Sequence, residues 1–258
     1  MRISCLIENT SYNGDFLCEH GLSLYIQAGG HNILFDMGQG DSFIKNAKKL
    51  GIDLSQVDIA ILSHGHYDHG GGLEAFLEIN SISPVYLGRY AFEPHYNGCK
   101  KYIGLDTSLV NNNRLIFVDD ILKIDTGLTL FSCNDKKREF NLGSFGLTIL
   151  ENDSYLPDDF RHEQYLLIEE DNKKVLISGC SHKGILNIAS WFEADYIIGG
   201  FHFSKLPLDN TLLSYSEYLQ NLNTVFYTCH CTGINQYEFM KNNMKELHYI
   251  SSGQVIEI

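Results

Sequence analysis

Apolar residues along this chain come in short bursts of three to six, each closed by glycine, histidine, aspartate or asparagine. Met1 to Glu8 reads as a first strand. Leu22 to Ala28 and Ile33 to Phe35, separated by Gly29-Gly30, predict a hairpin. Phe43, Ala47 and Leu50 share a helical face that stops at Gly51. Asp58 to Ser63 is apolar at four successive positions and predicts a buried strand; Gly70-Gly71-Gly72 follows, with a helix from about Leu73. Short strands are then expected at Val85–Leu87, Leu115–Val118, Leu128–Phe131 and Leu147–Leu150. Tyr90 to Asn113, rich in Tyr, Asn and Gly, is expected to be an irregular loop or lid.

Beyond residue 164 the rhythm becomes strand, loop, helix. Tyr165 to Ile168 reads as a strand. Val175-Leu176-Ile177 runs into Gly179-Cys180-Ser181-His182, and Ile185, Ile188, Ala189 and Phe192 then form an apolar helical stripe. Tyr196-Ile197-Ile198 runs into Gly199-Gly200-Phe201-His202, with Leu212, Tyr215, Leu219 and Leu222 striping the next helix. Val225-Phe226-Tyr227 leads to His230, with Tyr237, Met240 and Met244 on a helix after it. Three successive strands therefore end at a loop bearing histidine. Ligands of α/β folds gather at strand C-termini, so these loops are expected to meet. The layering implied is sheet on sheet with helices outside, although periodicity alone does not separate this from an open α/β sheet.

The chemistry concentrates in His64-Gly65-His66-Tyr67-Asp68-His69. Positions i and i+2 of an extended chain project to one side, so His64 and His66 are placed to chelate one ion, with Asp68 and His69 turned to a second. Imidazoles with a carboxylate suit Zn²⁺, Fe or Mn²⁺ rather than Ca²⁺ or Mg²⁺. The eleven histidines make some clustering by chance expected. A chance loop would rarely stand between a buried strand and three glycines in this order.

These residues resemble the metallo-β-lactamase superfamily, whose signature His-x-His-x-Asp-His stands here as His64, His66, Asp68 and His69. Glu19-His20-Gly21-Leu22-Ser23, Leu34-Phe35-Asp36-Met37-Gly38, Gly179-Cys180-Ser181-His182, Gly199-Gly200-Phe201-His202 and His230-Cys231-Thr232-Gly233 are similar to one subgroup. That subgroup is the dihydropterin ribofuranosylaminobenzene-phosphate synthase-like metal-dependent hydrolases. The resemblance implies an α/β fold of the four-layer αβ/βα sandwich kind, and a site for two divalent ions, zinc in first place, with iron or manganese as alternatives. It also implies a further histidine for the first ion, a bridging carboxylate, and a last histidine for the second, the role His230 fits. His182 and His162 compete for the first-ion place, His182 being the stronger candidate. Where most members have Gly-Asp, this chain has Gly179-Cys180. A thiolate ligand and a packed, inert thiol are both open there.

Outside the ligands, Asp36 stands either to fix a ligand histidine's tautomer or to form a turn before Gly38. His20 reads either as a site residue or as an exposed turn histidine. Asp68 is expected to orient the nucleophile besides binding metal. His202 is expected to contact substrate or protonate a leaving group, since an imidazole suits proton transfer near neutrality.

Composition narrows the partners. With 32 acidic against 19 basic residues the net charge is −13, which argues against a nucleic-acid surface. The one basic cluster, Lys136-Lys137-Arg138, is flanked by acids. Seven cysteines without a Cys-x-x-Cys pair argue against a disulfide framework and for a reducing cytoplasm. No signal-peptide pattern or membrane-span-length apolar run is seen, and no linker or repeat divides residues 1–258, so one continuous domain is expected. The function expected is hydrolysis of an ester-, phosphoester- or amide-like small molecule by a metal-bound hydroxide. Two alternatives stand beside it: a pterin-diphosphate condensing synthase of the same fold, and a metal-binding sensor without turnover. A mononuclear iron oxygenase is a further option on ligand chemistry alone.

Overall fold

The computed structural model describes all 258 residues. The first of two large sheets runs Val255–Glu257, Arg2–Ile7, Ser23–Ala28, His31–Phe35, Ile59–Leu62, Val85–Gly88, Leu115–Val118. The second runs Leu247–Tyr249, Val225–Thr228, Tyr196–Gly199, Lys173–Ile177, Tyr165–Glu170, Leu128–Phe131, Ile121–Asp125. In each sheet a parallel half adjoins an antiparallel half.

Strand periodicity explains why the apolar runs are so dense. Ile33 and Phe35, Ile59 and Ile61, Leu166 and Ile168, Val175 and Ile177 all enter one core between the sheets. The intervening Leu34, Ala60 and Leu62 turn outward to meet Phe43, Ala47, Leu73 and Phe76 of the helices Ser42–Lys49 and Leu73–Ile79. On the other side Leu176, Ile197 and Phe226 meet Ile185, Ile188, Leu212, Leu219 and Met240 of Ile185–Phe192, Asn210–Gln220 and Ile234–Lys241. Both faces of each sheet are therefore buried, which removes the alternation expected of a half-exposed strand. The result is the helix–sheet–sheet–helix sandwich. Each fully buried Leu, Ile or Phe contributes about 1.5–3 kcal/mol to it.

Several local expectations are revised. Tyr90 to Asn113 is not an unstructured lid. It holds the strands His95–Asn97 and Lys101–Tyr102 and a 3-10 turn at Thr107–Leu109. The strand at Leu147–Glu151 joins this hairpin and Ser154–Pro157 in a separate four-stranded sheet rather than in either large sheet. These strands are short and partly exposed, so their hydrophobic pattern was weak. Leu222 and Met244 fall just past the ends of their helices. No helix is long and apolar enough to cross a membrane.

Candidate metal centre

Strand Ile59–Leu62 delivers Ser63 and His64 to the sheet end, the chain bends over Ser63 to Gly65 and is extended again at His66, and one helical turn, Tyr67–Gly70, then carries Asp68 and His69. Gly65 is required between the two histidines: a side chain there would run into the Ala91 backbone carbonyl. The neighbouring strand His31–Phe35, parallel to it, ends at Asp36. From the second sheet, the parallel neighbours Lys173–Ile177, Tyr196–Gly199 and Val225–Thr228 end next to the loops of His182, His202 and His230. The three histidine-bearing loops thus meet the first motif, as their strand ends predict.

Hydrogen bonds assign the protons of three imidazoles. Asp36 accepts from Ser63 N–H at 2.7 Å, and its Oδ2 accepts from Ser63 Oγ and His69 Nδ1, each at 2.7 Å. With its own proton given to Asp36, Ser63 Oγ accepts from His64 Nδ1 at 2.8 Å. His230 Nδ1 donates to Asn9 Oδ1 at 2.8 Å. In their neutral forms all three rings therefore send N–H outward and turn a bare Nε2 inward. His69 Nε2 lies 3.2 Å from His230 Nε2, which is 3.4 Å from Asp68 Oδ2, and His64 Nε2 lies 3.3 Å from His182 Nε2. Two nitrogens each about 2.0–2.1 Å from a tetrahedral zinc ion stand about 3.3–3.4 Å apart. Lone pairs facing each other at that spacing fit a cation between them.

The same reasoning separates His182 from His162. His162 Nδ1 accepts Gly65 N–H at 2.9 Å, so its neutral ring carries the proton on Nε2 and has no lone pair for an ion. His182 points Nε2 at His64 Nε2, 3.3 Å away, and its backbone N–H is held by the buried Glu163 carboxylate at 2.6 Å. Geometry favours His182.

Cys180 Sγ is 3.2 Å from His69 Nε2, and with His64 and His69 its donor atoms fall within 4.8 Å of one another. It thus stands between the two half-sites. A second cluster links it to His202 and Cys231, whose Sγ accepts His202 N–H at 3.3 Å. Burial pushes the Cys180 thiol up. For Cys231 burial acts the same way but is outweighed by contacts with Cys180 and His202, which push it down. His20 is mostly exposed yet reaches Asp68 Oδ2 at 3.3 Å, and that contact raises its pKa. Burial opposes the charge on Asp68, but His69, His20 and His230 outweigh it and hold the carboxyl well below its usual range. Burial likewise lowers His69, and Asp36 and Asp68 outweigh it, raising the ring to about 9.

A cavity of about 210 Å³ opens onto this centre, lined by His66, Asp68, Cys180, His182, His202 and His230, with Lys101 and Lys205 also on its wall. A larger hollow of 590 Å³ beside Asn172 and Asn223 gathers no comparable donors. Sequence reasoning passed over Asn9, Ser63 and Glu163, which hold His230, His64 and His182, and the buried His95–Asp158 pair; none of these lines the cavity. Cys231 stood in the His230-Cys231-Thr232-Gly233 stretch without a role of its own.

Residues 18–183 match the model of the metallo-beta-lactamase superfamily. An uncharacterized protein of Methanocaldococcus jannaschii is 30% identical over 240 residues, covering 90% of each chain. The 7,8-dihydropterin-6-methyl-4-(beta-D-ribofuranosyl)-aminobenzene-5'-phosphate synthase of the same organism is 29% identical, covering 100% of this chain and 96% of its own. The crystal structure of Tm1679, described as a metal-dependent hydrolase of the beta-lactamase superfamily, superposes with a TM-score of 0.86 at 32% identity, covering 100% of this chain and 99% of that one. With the signature histidines at the mouth of a two-sheet sandwich and relatives that span the full chain, this protein belongs to the metallo-β-lactamase superfamily.

Proposed function

We propose that the protein is a dinuclear metallo-hydrolase acting on a small anionic ester-, phosphoester- or amide-like molecule. The observation that carries this reading is the facing Nε2 atoms at tetrahedral-edge spacing, those of His64, His69 and His230 backed by an outward Nδ1–H. His64, His66 and His182 would hold one ion; Asp68, His69 and His230 would hold the other, with Cys180 between them. Zinc suits this mixed N, O and S set, and iron or manganese would also be accepted. Such ions lower the pKa of a bound water toward about 7 and polarise the scissile group's oxygen.

The chain's own residues supply the rest. Asp68 stays ionised and accepts a hydrogen bond from the attacking nucleophile, which orients it. His202 lines the cavity with a buried Nδ1 that no protein group engages, and it gives a proton to the leaving group. Lys101 and Lys205 put positive charge on the wall of a cavity in an otherwise acidic protein, which favours an anionic substrate.

The test is metal content together with turnover on phosphodiester, lactone, thioester and pterin-diphosphate substrates. Wild-type protein should hold two equivalents, and His66→Ala should lose at least one of them and most activity. Full metal retention in that variant defeats the ligand assignment. The identity with a named synthase over the whole chain supports a second reading, condensation of a pterin diphosphate with an arylamine. Pyrophosphate released only when the amine is present would select it. One tightly held ion with no turnover on any substrate would select the sensing reading, in which the Cys180–Cys231 pair is the redox-sensitive element.

A further inference from the structure

The cavity over the centre is layered by depth. Its floor is made by buried donors, among them His66, Asp68, Cys180, His182 and His230. Exposed polar residues stand at its mouth: Asn97, Lys101, Ser204 and Lys205. Asn97 and Lys101 are paired across the strands His95–Asn97 and Lys101–Tyr102 of the small sheet. Ser204 and Lys205 belong to the loop that follows Tyr196–Gly199, two and three residues past His202.

The fold brings these two segments to one rim. Lys205 Nζ donates to the Phe145 carbonyl at 2.9 Å, and the next residue, Gly146, accepts Gly98 N–H at 2.8 Å. Gly98 adjoins Asn97, whose cross-strand partners are Leu147 on one side and Lys101 on the other. Lys101 Nζ donates to the phenol oxygen of Tyr67 at 3.2 Å. Each ammonium thus has one neutral acceptor and keeps N–H bonds to spare. The one carboxylate on the cavity wall, Asp68, lies on the floor, 3.3 Å from His20 and 3.4 Å from His230. In a chain of net charge −13, two cations without a carboxylate at one mouth reverse the local sign.

We propose that Lys101 and Lys205, with Asn97 and Ser204 beside them, form a rim subsite for a second, non-reacting anionic group of the substrate, a carboxylate or a phosphate. This rests on the hydrolase reading above and deepens it: the substrate is charged at the end remote from the bond that breaks on the floor. The cavity, about 210 Å³, is smaller than the roughly 300–1,000 Å³ of pockets for drug-sized ligands, so only a short spacer fits between the two ends. The lysines decide which molecule binds rather than how its bond is broken.

Titration calorimetry on the zinc-loaded, full-length protein tests this with butyrate, glutarate and 4-phosphonobutyrate. All three bring a carboxylate to the ions, and only the last two carry a charge at the far end. One of these two should bind about tenfold or more tighter than butyrate, the scale of a hydrogen bond to a charged group. The tighter of the two names the anionic group. That preference should shrink in Lys101→Gln and in Lys205→Gln, nearly vanish in the double variant, and persist in Lys101→Arg. Metal content and melting temperature should stay at their wild-type values, and each single variant carries the test if the double variant does not fold. Equal affinity for all three probes in wild-type protein would overturn the proposal. So would a preference that survives undiminished in the folded variants. Absence of turnover on every substrate class named above would defeat the hydrolase reading, while the binding preference would still decide the rim.

Discussion

Asp36→Asn is the sharpest probe of the centre, because one fully buried carboxylate sets the protons of two proposed ligands. Its oxygens accept three hydrogen bonds at 2.7 Å, from Ser63 N–H, Ser63 Oγ and His69 Nδ1. Asparagine is nearly isosteric but offers one acceptor oxygen and an NH₂. If the oxygen stays on the Ser63 backbone, the NH₂ faces Ser63 Oγ and His69 Nδ1. His69 then has to accept there and move its proton to Nε2, the atom 3.2 Å from His230 Nε2. The lone pair that would bind metal is thereby blocked. Loss of a partner of this kind weakens affinity about 10–100-fold, or about 1.4–2.7 kcal/mol. The damage should fall mainly on the ion shared by Asp68, His69 and His230, because Asp36 touches His64 only through Ser63. Chelator competition that resolves two zinc equivalents is the assay, with a thermal melt to establish that the variant is folded. Two equivalents held as tightly as in wild type, in a folded Asp36→Asn protein, would refute the tautomer argument. Asp36→Ala is the poorer probe, since it strands three buried donors at about 1–3 kcal/mol each and confounds binding with folding.

Cobalt-substituted protein should show an intense sulfur-to-metal charge-transfer band that disappears in Cys180→Ser; an unchanged spectrum would make Cys180 a packed thiol only. His202→Ala should keep its metal and its melting temperature and lose about a hundredfold or more in kcat, whereas loss of metal would make His202 a ligand. Away from the centre, His31 clasps the two large sheets, its ring nitrogens 2.9 Å from Asp58 Oδ1 and 3.0 Å from Asp125 Oδ2. The Asp125 contact first, then Asp58, outweighs partial burial and raises the His31 pKa. A raised folded-state value stabilises the fold fully below the unfolded pKa of about 6.5 and fades as pH rises through the folded value. Denaturant melts should therefore lose a small increment on raising the pH above about 6.5, and His31→Gln should remove that increment. The same pH profile in the variant would assign the loss to other groups.

What the sequence revealed and what it concealed divide along a physical line. His64 to His69 were legible because one strand end and one helical turn supply four donors within six residues. His182, His202 and His230 were legible at one remove, since each follows a short apolar strand and parallel strands bring such ends together. The sandwich was legible through the family resemblance and not through periodicity, because Ile59-Ala60-Ile61-Leu62 sends alternate residues into two different cores and shows no alternation. His95 and Asp158 were invisible for another reason. They come from a small, half-exposed sheet and its exit, 63 residues apart, and nothing in either neighbourhood marks one as the other's partner.

The backbone at the centre adds a constraint that composition hides. Asp36, Ser181, His202 and His230 all adopt left-handed φ angles between 50° and 59°, and each belongs to a loop at the end of a strand facing the cavity. Glycine adopts this conformation freely, whereas other residues pay for it with local strain of order 1–3 kcal/mol. Local preference would put glycine at all four positions, and a reader of propensities would look for it there. The chemistry denies it: Asp36 supplies the carboxylate behind His69, and His202 and His230 supply the rings on the cavity wall. Gly200, beside His202, shows the complementary rule, since a side chain there would collide with Cys231 Sγ. The loops are thus glycine where space is lacking and strained where a functional group is required. The strain is offset by the two apolar cores that fix the strand ends. From those fixed strand ends the donor atoms of His64, His69, His182 and His230 stand at tetrahedral-edge spacing.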